Sequence, residues 1–328
     1  MNLSPSIFQA ESELYTLIND KIFNNNKFDQ LEIDSSSGCY SNNKYFIGSF
    51  SGQLYILSSS KRVEKMIEAH NGCITNCIPF NDCIVTSGED GTIKLWTSNG
   101  TLRSTIAKSN LPVNQVVIIG NEVIYSSCNK LHASDIYSNV KKTFLVNFVI
   151  SSLFANENSI FIGGFNGKLK VFEDFKSKSE CQLDSKINTI FVNHHLKLIY
   201  CGVGSKLVIL DFNLVPCKSF DVSGILSAIY ALDNGQIHFA TSLTHSSLAY
   251  FKDTTKNGYY ITFKDGFEIE ELLGKKSFKI DQPISNIRKI TVNESVFVEL
   301  KNKVLIFGHQ ELSLDLSFEI REIYPQIS

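Results

Sequence analysis

EAHNGCITNCIPFNDCIVTSGEDGTIKLWTSNG, from Glu68 to Gly100, decides how this chain folds. It holds three short runs of apolar and β-branched residues: Ile74–Pro79, Cys83–Ser87 and Thr92–Trp96. Asn81 and Asp82 separate the first two, and Gly88, Glu89, Asp90 and Gly91 separate the next two. Such clusters supply hairpin turns, so the runs read as consecutive antiparallel strands.

The pattern extends outward on both sides. YFIGS and QLYIL precede it; QVVIIG, EVIYSS, SIFIGG, KLKVF, TIFVN, KLIYCG, KLVIL and IHFATS follow. Helical periodicity is nearly absent, and the best helical candidate, FEIEELLGK (Phe267–Lys275), is about two turns long and marginal alone. The chain is therefore all-β.

One turn recurs: small residues, then Gly or a polar residue, then an apolar strand. It ends at Gly52, Gly91, Lys130, Gly167 and Ser205, at intervals of 39, 39, 37 and 38. Each unit carries an apolar strand ahead of its turn, and later units start at Ile225 and Ile284. Four short strands every ~40 residues is the signature of a β-propeller blade. One such sheet cannot bury both faces alone, whereas stacking around an axis buries them all. Six clear units and a C-terminal one imply seven blades. The expected organisation is 1–30 as an eroded first blade or a ring-closing strand, then a propeller over 31–320. The propeller has an inserted loop at about 253–282 containing the short helix, and a tail over 321–328 follows.

With 31 Lys and Arg against 33 Asp and Glu, the net charge of −2 lacks the positive excess that non-specific nucleic-acid binding needs. The longest mostly apolar stretch, Leu145–Ala155, is 11 residues, short of the ~20 a spanning helix requires. The opening MNLSPSIFQAESE has no basic segment leading into an apolar run, so no signal peptide is expected. Cys39, Cys73, Cys77, Cys83, Cys128, Cys181, Cys201 and Cys217 stand in apolar surroundings and read as reduced, core-filling thiols. Cys73 and Cys77, four apart, would share a strand face, and no second pair downstream supports zinc.

In Glu68–Gly100, Ala69 and His70 stand where WD-repeat proteins carry Gly-His, and Lys94–Thr97 where they carry the Trp-Asp ending. The stretch resembles that family. The resemblance implies a buried structural tetrad of His70, Thr86, Asp90 and Trp96, with Asp accepting from turn amides and His, His linked to the hydroxyl, and the indole closing the chain. The other repeats lack the full set.

GQLYILSSSKRVEKMIEAHNG (Gly52–Gly72) and SGEDGTIKLWTSNGTLRSTIAKSNLPVNQV (Ser87–Val116) resemble more than a generic repeat. They are similar to the N-terminal propeller of the eighty-kilodalton WD-repeat subunit family of intraflagellar transport complex B. The telling parts are Lys61–Lys65 before Glu68–His70, and Gly100–Ser104 followed by Leu111–Val113, which lie outside the WD consensus. The resemblance is sharp over about residues 44–118 and thins afterwards. It implies a non-enzymatic scaffold docking other complex B subunits in cilium assembly and maintenance, found in cilium and cytoplasm. It makes Lys61, Arg62, Lys65 and Arg103 candidate partner contacts. That family continues into a second propeller and a helical region, whose functions are not carried over. A generic cytosolic WD-repeat adaptor in another trafficking or ubiquitin-ligase complex is the alternative.

No catalytic motif is present: there is no G-x-S-x-G, H-E-x-x-H, P-loop or dinucleotide fingerprint. The glycine-rich Gly163–Gly167 is a hairpin turn, and His194 and His195, adjacent in sequence, cannot chelate from one regular strand. Asp265, Glu268, Glu270 and Glu271 read as a solvated face. A propeller enzyme would converge one chemistry at equivalent turns, but these carry Ser51, Glu89, Cys128, Phe165 and Val203. No cofactor, metal, small-molecule substrate, nucleic acid or membrane insertion is expected.

Overall fold

Backbone pairing follows the apolar runs. The computed structural model describes residues 6–315 except 11–12, 19, 25–26, 139–140, 157–158, 223, 234–235, 242–244, 252–258, 265, 272–276, 281–283, 291–294, 301–302 and 308–311. The chain divides into two compact units, 1–247 and 248–328.

In the first unit, β1 (Ser6–Ala10), β2 (Glu13–Ile18), β3 (Lys21–Asn24) and β4 (Lys27–Gln30) pair in order as one antiparallel sheet. The second sheet is β5 (Ser35–Ser41), β6 (Lys44–Ser49), β7 (Gln53–Leu57) and β8 (Val63–Glu68). The third is β9 (Ile74–Phe80), β10 (Cys83–Gly88), β11 (Thr92–Thr97) and β12 (Leu102–Lys108). The fourth is β13 (Gln115–Ile119), β14 (Glu122–Ser127), β15 (Lys130–Asp135) and β16 (Lys141–Leu145). The fifth is β17 (Ile150–Ala155), β18 (Ser159–Gly164), β19 (Lys168–Glu173) and β20 (Lys176–Gln182). The sixth is β21 (Ile187–Asn193), β22 (Leu198–Val203), β23 (Lys206–Asp211) and β24 (Pro216–Asp221). Strands β25 (Leu226–Ala231) and β26 (Gln236–Thr241) then pair with each other. The unit thus holds six complete four-stranded blades rather than the seven expected. Only residues 242–247 of the unit remain after β26, too few for two more strands. The circle of inner strands closes on β1, where the Tyr230 hydroxyl on β25 donates to Gln9 Oε1 at 3.2 Å and Ile7 packs on Ala228 and Ala240.

Strand β27 (His245–Phe251) spans the division between the units. In the second unit, β28 (Tyr259–Lys264), β29 (Gly266–Glu271) and β30 (Ser277–Ile280) pair consecutively. Strands β31 (Ile284–Ile290), β32 (Ser295–Leu300), β33 (Lys303–Phe307) and β34 (Leu312–Asp315) form a four-stranded sheet. Of the helix expected over Phe267–Lys275, Phe267–Glu271 lie instead in β29, and 272–275 fall outside the described residues. Phe267, Glu268, Ile269 and Glu270 alternate at period two, and a ladder on either side satisfies their backbone where two lone helical turns would not. The proposed tail, 321–328, lies outside the described residues.

Each core joins two consecutive sheets. One runs from Phe161 and Leu169 of the fifth sheet to Ile187 and Leu210 of the sixth, and another from Val85 and Leu95 of the third to Val113 and Tyr125 of the fourth. Ile74, Val113, Ile150, Ile187 and Leu226, one per inter-blade step, are fully buried. From the second blade to the sixth, the fifth residue of the second strand is small (Gly48, Ser87, Ser126, Gly163 and Gly202), and Ile74, Ile187 and Leu226 pack directly on Gly48, Gly163 and Gly202. A methyl on Gly48 would lie 2.6 Å from Ile74 Cγ2, and one on Gly163 would lie 2.7 Å from Ile187 Cβ. Hydroxyls stitch the same seam: Ser36 Oγ donates to Ile74 O at 2.6 Å, Thr75 Oγ1 to Val113 O at 2.8 Å and Ser151 Oγ to Ile187 O at 2.7 Å. Cys77 of β9 is buried with its sulfur 3.5 Å from Cys39 Sγ on β5, whereas half-buried Cys73 precedes β9, so the two do not share a strand face.

Gly48→Ala is expected to cost about 1–3 kcal/mol through overpacking against Ile74. A lower urea midpoint with unchanged slope would show this, and an unchanged midpoint would remove the seam from the account.

Candidate functional site

The β8–β9 connection, the β10–β11 turn and both strands of that hairpin converge on one polar chain. Trp96 Nε1 donates to Thr86 Oγ1 at 2.8 Å, and Thr86 Oγ1 lies 2.7 Å from His70 Nε2. His70 Nδ1 faces Asp90 at 3.0 Å to Oδ1 and 3.2 Å to Oδ2. One arrangement of protons satisfies every member: the indole donates to the hydroxyl, the hydroxyl to Nε2 of a neutral imidazole, and Nδ1–H to the carboxylate. Asp90 also accepts the amides of Asn71 at 3.1 Å and Thr92 at 2.9 Å, and the Thr92 hydroxyl at 2.7 Å. Thr92 is thus a fifth member. The sequence signal for it was a hydroxyl two residues beyond a turn aspartate.

Charge follows this geometry. Burial disfavours the His70 imidazolium, and that outweighs the Asp90 carboxylate. Protonation would also turn Nε2 into a donor and take away the acceptor of the Thr86 hydroxyl hydrogen. Burial works against ionised Asp90, but the bonds from His70, Thr92 and Asn71 prevail and hold it at about 2. The network is closed on itself, with no polar group left for a substrate.

The equivalent positions show what replaces it. The place of Thr86, fourth on its strand, is taken by Ile47, Tyr125, Ile162 and Cys201. The place of Trp96, fifth on its strand, is taken by Leu57, Ser134, Phe172 and Leu210. In the second, fifth and sixth blades both are apolar and buried. In the fourth, Tyr125 is matched by Ser134 and stacks on His132 at 4.7 Å. There the Tyr125 hydroxyl, Ser126 Oγ and His132 Nε2 are buried without a hydrogen-bond partner. Burial, with Lys141 and Lys130 nearby, lowers the His132 pKa to about 4.

The four candidate partner residues lie on the outer rim. Lys61 forms an ion pair with Asp29 and covers the Tyr15 ring at 5.2 Å, tying the first sheet to the second. Lys65 Nζ reaches across to the third sheet, donating to Asn99 O at 2.9 Å and Gly100 O at 3.4 Å. Gly100, at φ 72°, sits so close to Ile67 Cδ1 that a side chain there would overlap it. Arg103 Nη1 donates to Cys83 Sγ at 3.4 Å. Arg62 is exposed, and its guanidinium has no partner among the described residues. The structure therefore brings Lys61–Lys65 and Gly100–Arg103 together. Half-exposed Val63, Met66 and Leu102 stand among them.

His194 and His195 lie in the β21–β22 turn, where His194 packs on the Phe212 ring edge at 5.3 Å. No group of three or more His, Cys, Asp or Glu able to hold a metal occurs among the described residues. No helix among them is long and apolar enough to cross a membrane.

The architecture aligns with the crystal structure of the WD40 β-propeller domain of Doa1 at a TM-score of 0.65 and 13% identity, covering 75% of this chain and 92% of that one. The fold is a WD40 β-propeller. No family model matches the chain. The Intraflagellar transport protein 80 homologs of Rattus norvegicus and Mus musculus are each 33% identical to it over 101 residues, 30% of this chain. The matched stretch is 13% of the length of those relatives. The chain is a WD-repeat protein resembling intraflagellar transport protein 80.

Trp96→Phe removes the indole donor and leaves a buried lone pair of the Thr86 hydroxyl unfilled, at an expected cost of about 1–3 kcal/mol, whereas Tyr125→Phe removes an orphaned hydroxyl and is expected to be neutral or stabilising. Urea melts of the two variants check the contrast, and equal losses would refute it. Asp90 and His132 each hold a proton less tightly folded than unfolded, so stability present at neutral pH falls on acidification. For His132 the loss runs from its ordinary 6.5 down to about 4, and for Asp90 from 3.8 down to about 2. His132→Phe should flatten the upper part of the stability–pH curve; a curve of unchanged slope there would assign the loss elsewhere.

Proposed function

We propose that this chain is a non-enzymatic scaffold subunit of the intraflagellar transport B train, docking other complex B subunits during cilium assembly and maintenance in cilium and cytoplasm. One observation carries the reading. The two linkers outside the repeat consensus, Lys61–Lys65 and Gly100–Ser104, meet across a blade boundary through Lys65. Sequence similarity to intraflagellar transport protein 80 homologs supports the same assignment.

The meeting point has the character of a docking surface. Arg62, Lys65 and Arg103 have no carboxylate partner among the described residues, and Val63, Met66 and Leu102 add half-exposed apolar area. Lys65 positions the two linkers, while Arg62 and Arg103 face the partner. Docking is rigid, with the rim loops placed by the blades.

Tagged chain expressed in ciliated cells is expected to recover several complex B subunits. Arg62→Glu with Arg103→Glu should cut that recovery at least about fivefold with the thermal midpoint unchanged, a loss of roughly 1 kcal/mol or more. Lys65→Met should instead lower stability by about 0.5–1.5 kcal/mol, because it unties the linkers. Failure of the unmodified chain to recover any complex B subunit sinks the assignment. Recovery unaffected by the double variant moves the docking surface off the rim.

A further inference from the structure

The loops at the opposite end of the blades carry a second surface. One hydrogen bond recurs there in the second, third, fifth and sixth blades, fastening the turn after the second strand to the loop entering that blade. It joins Phe50 N to Asp34 O at 3.1 Å, Glu89 N to Cys73 O at 2.9 Å, Phe165 N to Val149 O at 3.0 Å and Gly204 N to Lys186 O at 3.1 Å. Leu226 N continues it to Gly204 O at 3.0 Å. Val113 N to Gly88 O at 3.3 Å and Ile150 N to Cys128 O at 2.8 Å likewise pass from one blade to the next, so the loops at this end, here called the mouth, are linked from blade to blade.

Its two arcs differ. Around the second and third blades it exposes the carboxylates Asp34 and Glu89. Around the fifth and sixth it exposes Val149 at 41%, Phe165 at 52% and Ile225 at 44%, side chains that a monomeric mouth has no packing reason to carry. Lys186 stands among them with its ammonium 4.3 Å from the Phe165 ring centre. The nearest acid in sequence, Asp184, pairs with Lys206 at 3.8 Å, and no described carboxylate pairs with Lys186. Burial pushes the Lys186 ammonium below its ordinary pKa, as expected of a partly desolvated cation without a counter-ion.

We propose that the arc of Val149, Phe165, Lys186 and Ile225 binds an extended segment of a partner protein carrying an aliphatic or aromatic side chain beside an Asp or Glu. The apolar side chain covers Phe165, Val149 and Ile225, and the carboxylate supplies the charge Lys186 lacks, over an aromatic face that already favours a cation. Asp34 and Glu89 on the far arc repel a segment acidic along its whole length, so the acid is confined to one end and direction is fixed. This surface does not depend on the transport assignment; it would serve any propeller with this mouth.

The test uses the full chain. Random peptides displayed on phage are selected on it and counter-selected on the Phe165→Ser, Lys186→Glu double variant. Enriched sequences are expected to place an apolar residue next to Asp or Glu, and a synthetic peptide of that sequence to bind the double variant at least about tenfold more weakly. Both substitutions alter side chains on the mouth surface, and an unchanged thermal midpoint verifies that folding is intact. A basic consensus, equal binding to the variant, no enrichment, or self-association of the chain through this arc would each overturn the proposal.

Discussion

A blade of this propeller is complete only when its neighbour fills it. From the second blade to the sixth, the fifth residue of the second strand is small, and an aliphatic residue of the next blade packs beside it. Gly48 receives Ile74, Gly163 receives Ile187, and Gly202 meets Leu226. The fit tolerates no extra methyl, and the hydroxyls of Ser36, Thr75 and Ser151 hold it by bonding the neighbour's carbonyl. Stability is then a property of the seams rather than of any single sheet, as expected of stacked repeats. The closure between β25 and β1 extends the same logic from the last inner strand to the first.

Once the seams carry the fold, the buried polar chain of the third blade is an addition to it. Networks of this kind survive only when every member has a partner, and their removal is cheap only when all members leave together. At the positions of Thr86 and Trp96 the second, fifth and sixth blades obey that rule and the fourth does not. Where Ile162 replaces Thr86, Phe172 replaces Trp96, and where Cys201 replaces it, Leu210 does likewise. The fourth blade stopped partway: Tyr125 and Ser134 exchange bulk across the two positions, and its polar atoms were left behind.

This explains what the sequence disclosed. A repeat near 38 residues and alternating strands are written directly in composition and spacing, so the propeller was legible, and the tetrad was legible through the resemblance of Glu68–Gly100 to a WD repeat. The turn of the fourth blade is one residue shorter, so its equivalent position is Asn129 rather than Lys130, as the bonds from Ser109 N to Gly91 O and Val146 N to Asn129 O show. Blade count was not legible, because it depends on where the compact unit ends. The mistaken helix had a different cause: FEIEE fits both periods over so short a span, and only its ladder partners select the strand. The work of Lys65 was hidden for a related reason, since its acceptors are backbone carbonyls of another blade, which no side-chain pattern announces.

Antiparallel sheets of four strands have two ends, and the chain uses them differently. The turns β7–β8 and β11–β12 carry Lys61–Lys65 and Gly100, whereas β10–β11, β18–β19 and the inter-blade loops open at the other end. The rim patch and the mouth therefore share no residue and face apart. Arg62 and Phe165 fill no core, so changing these two side chains leaves the inner seams untouched, whereas Lys61, Lys65 and Gly100 also tie neighbouring sheets together. Stability is thus buried between the inner strands of the blades, and the exposed side chains of both ends stand outside it.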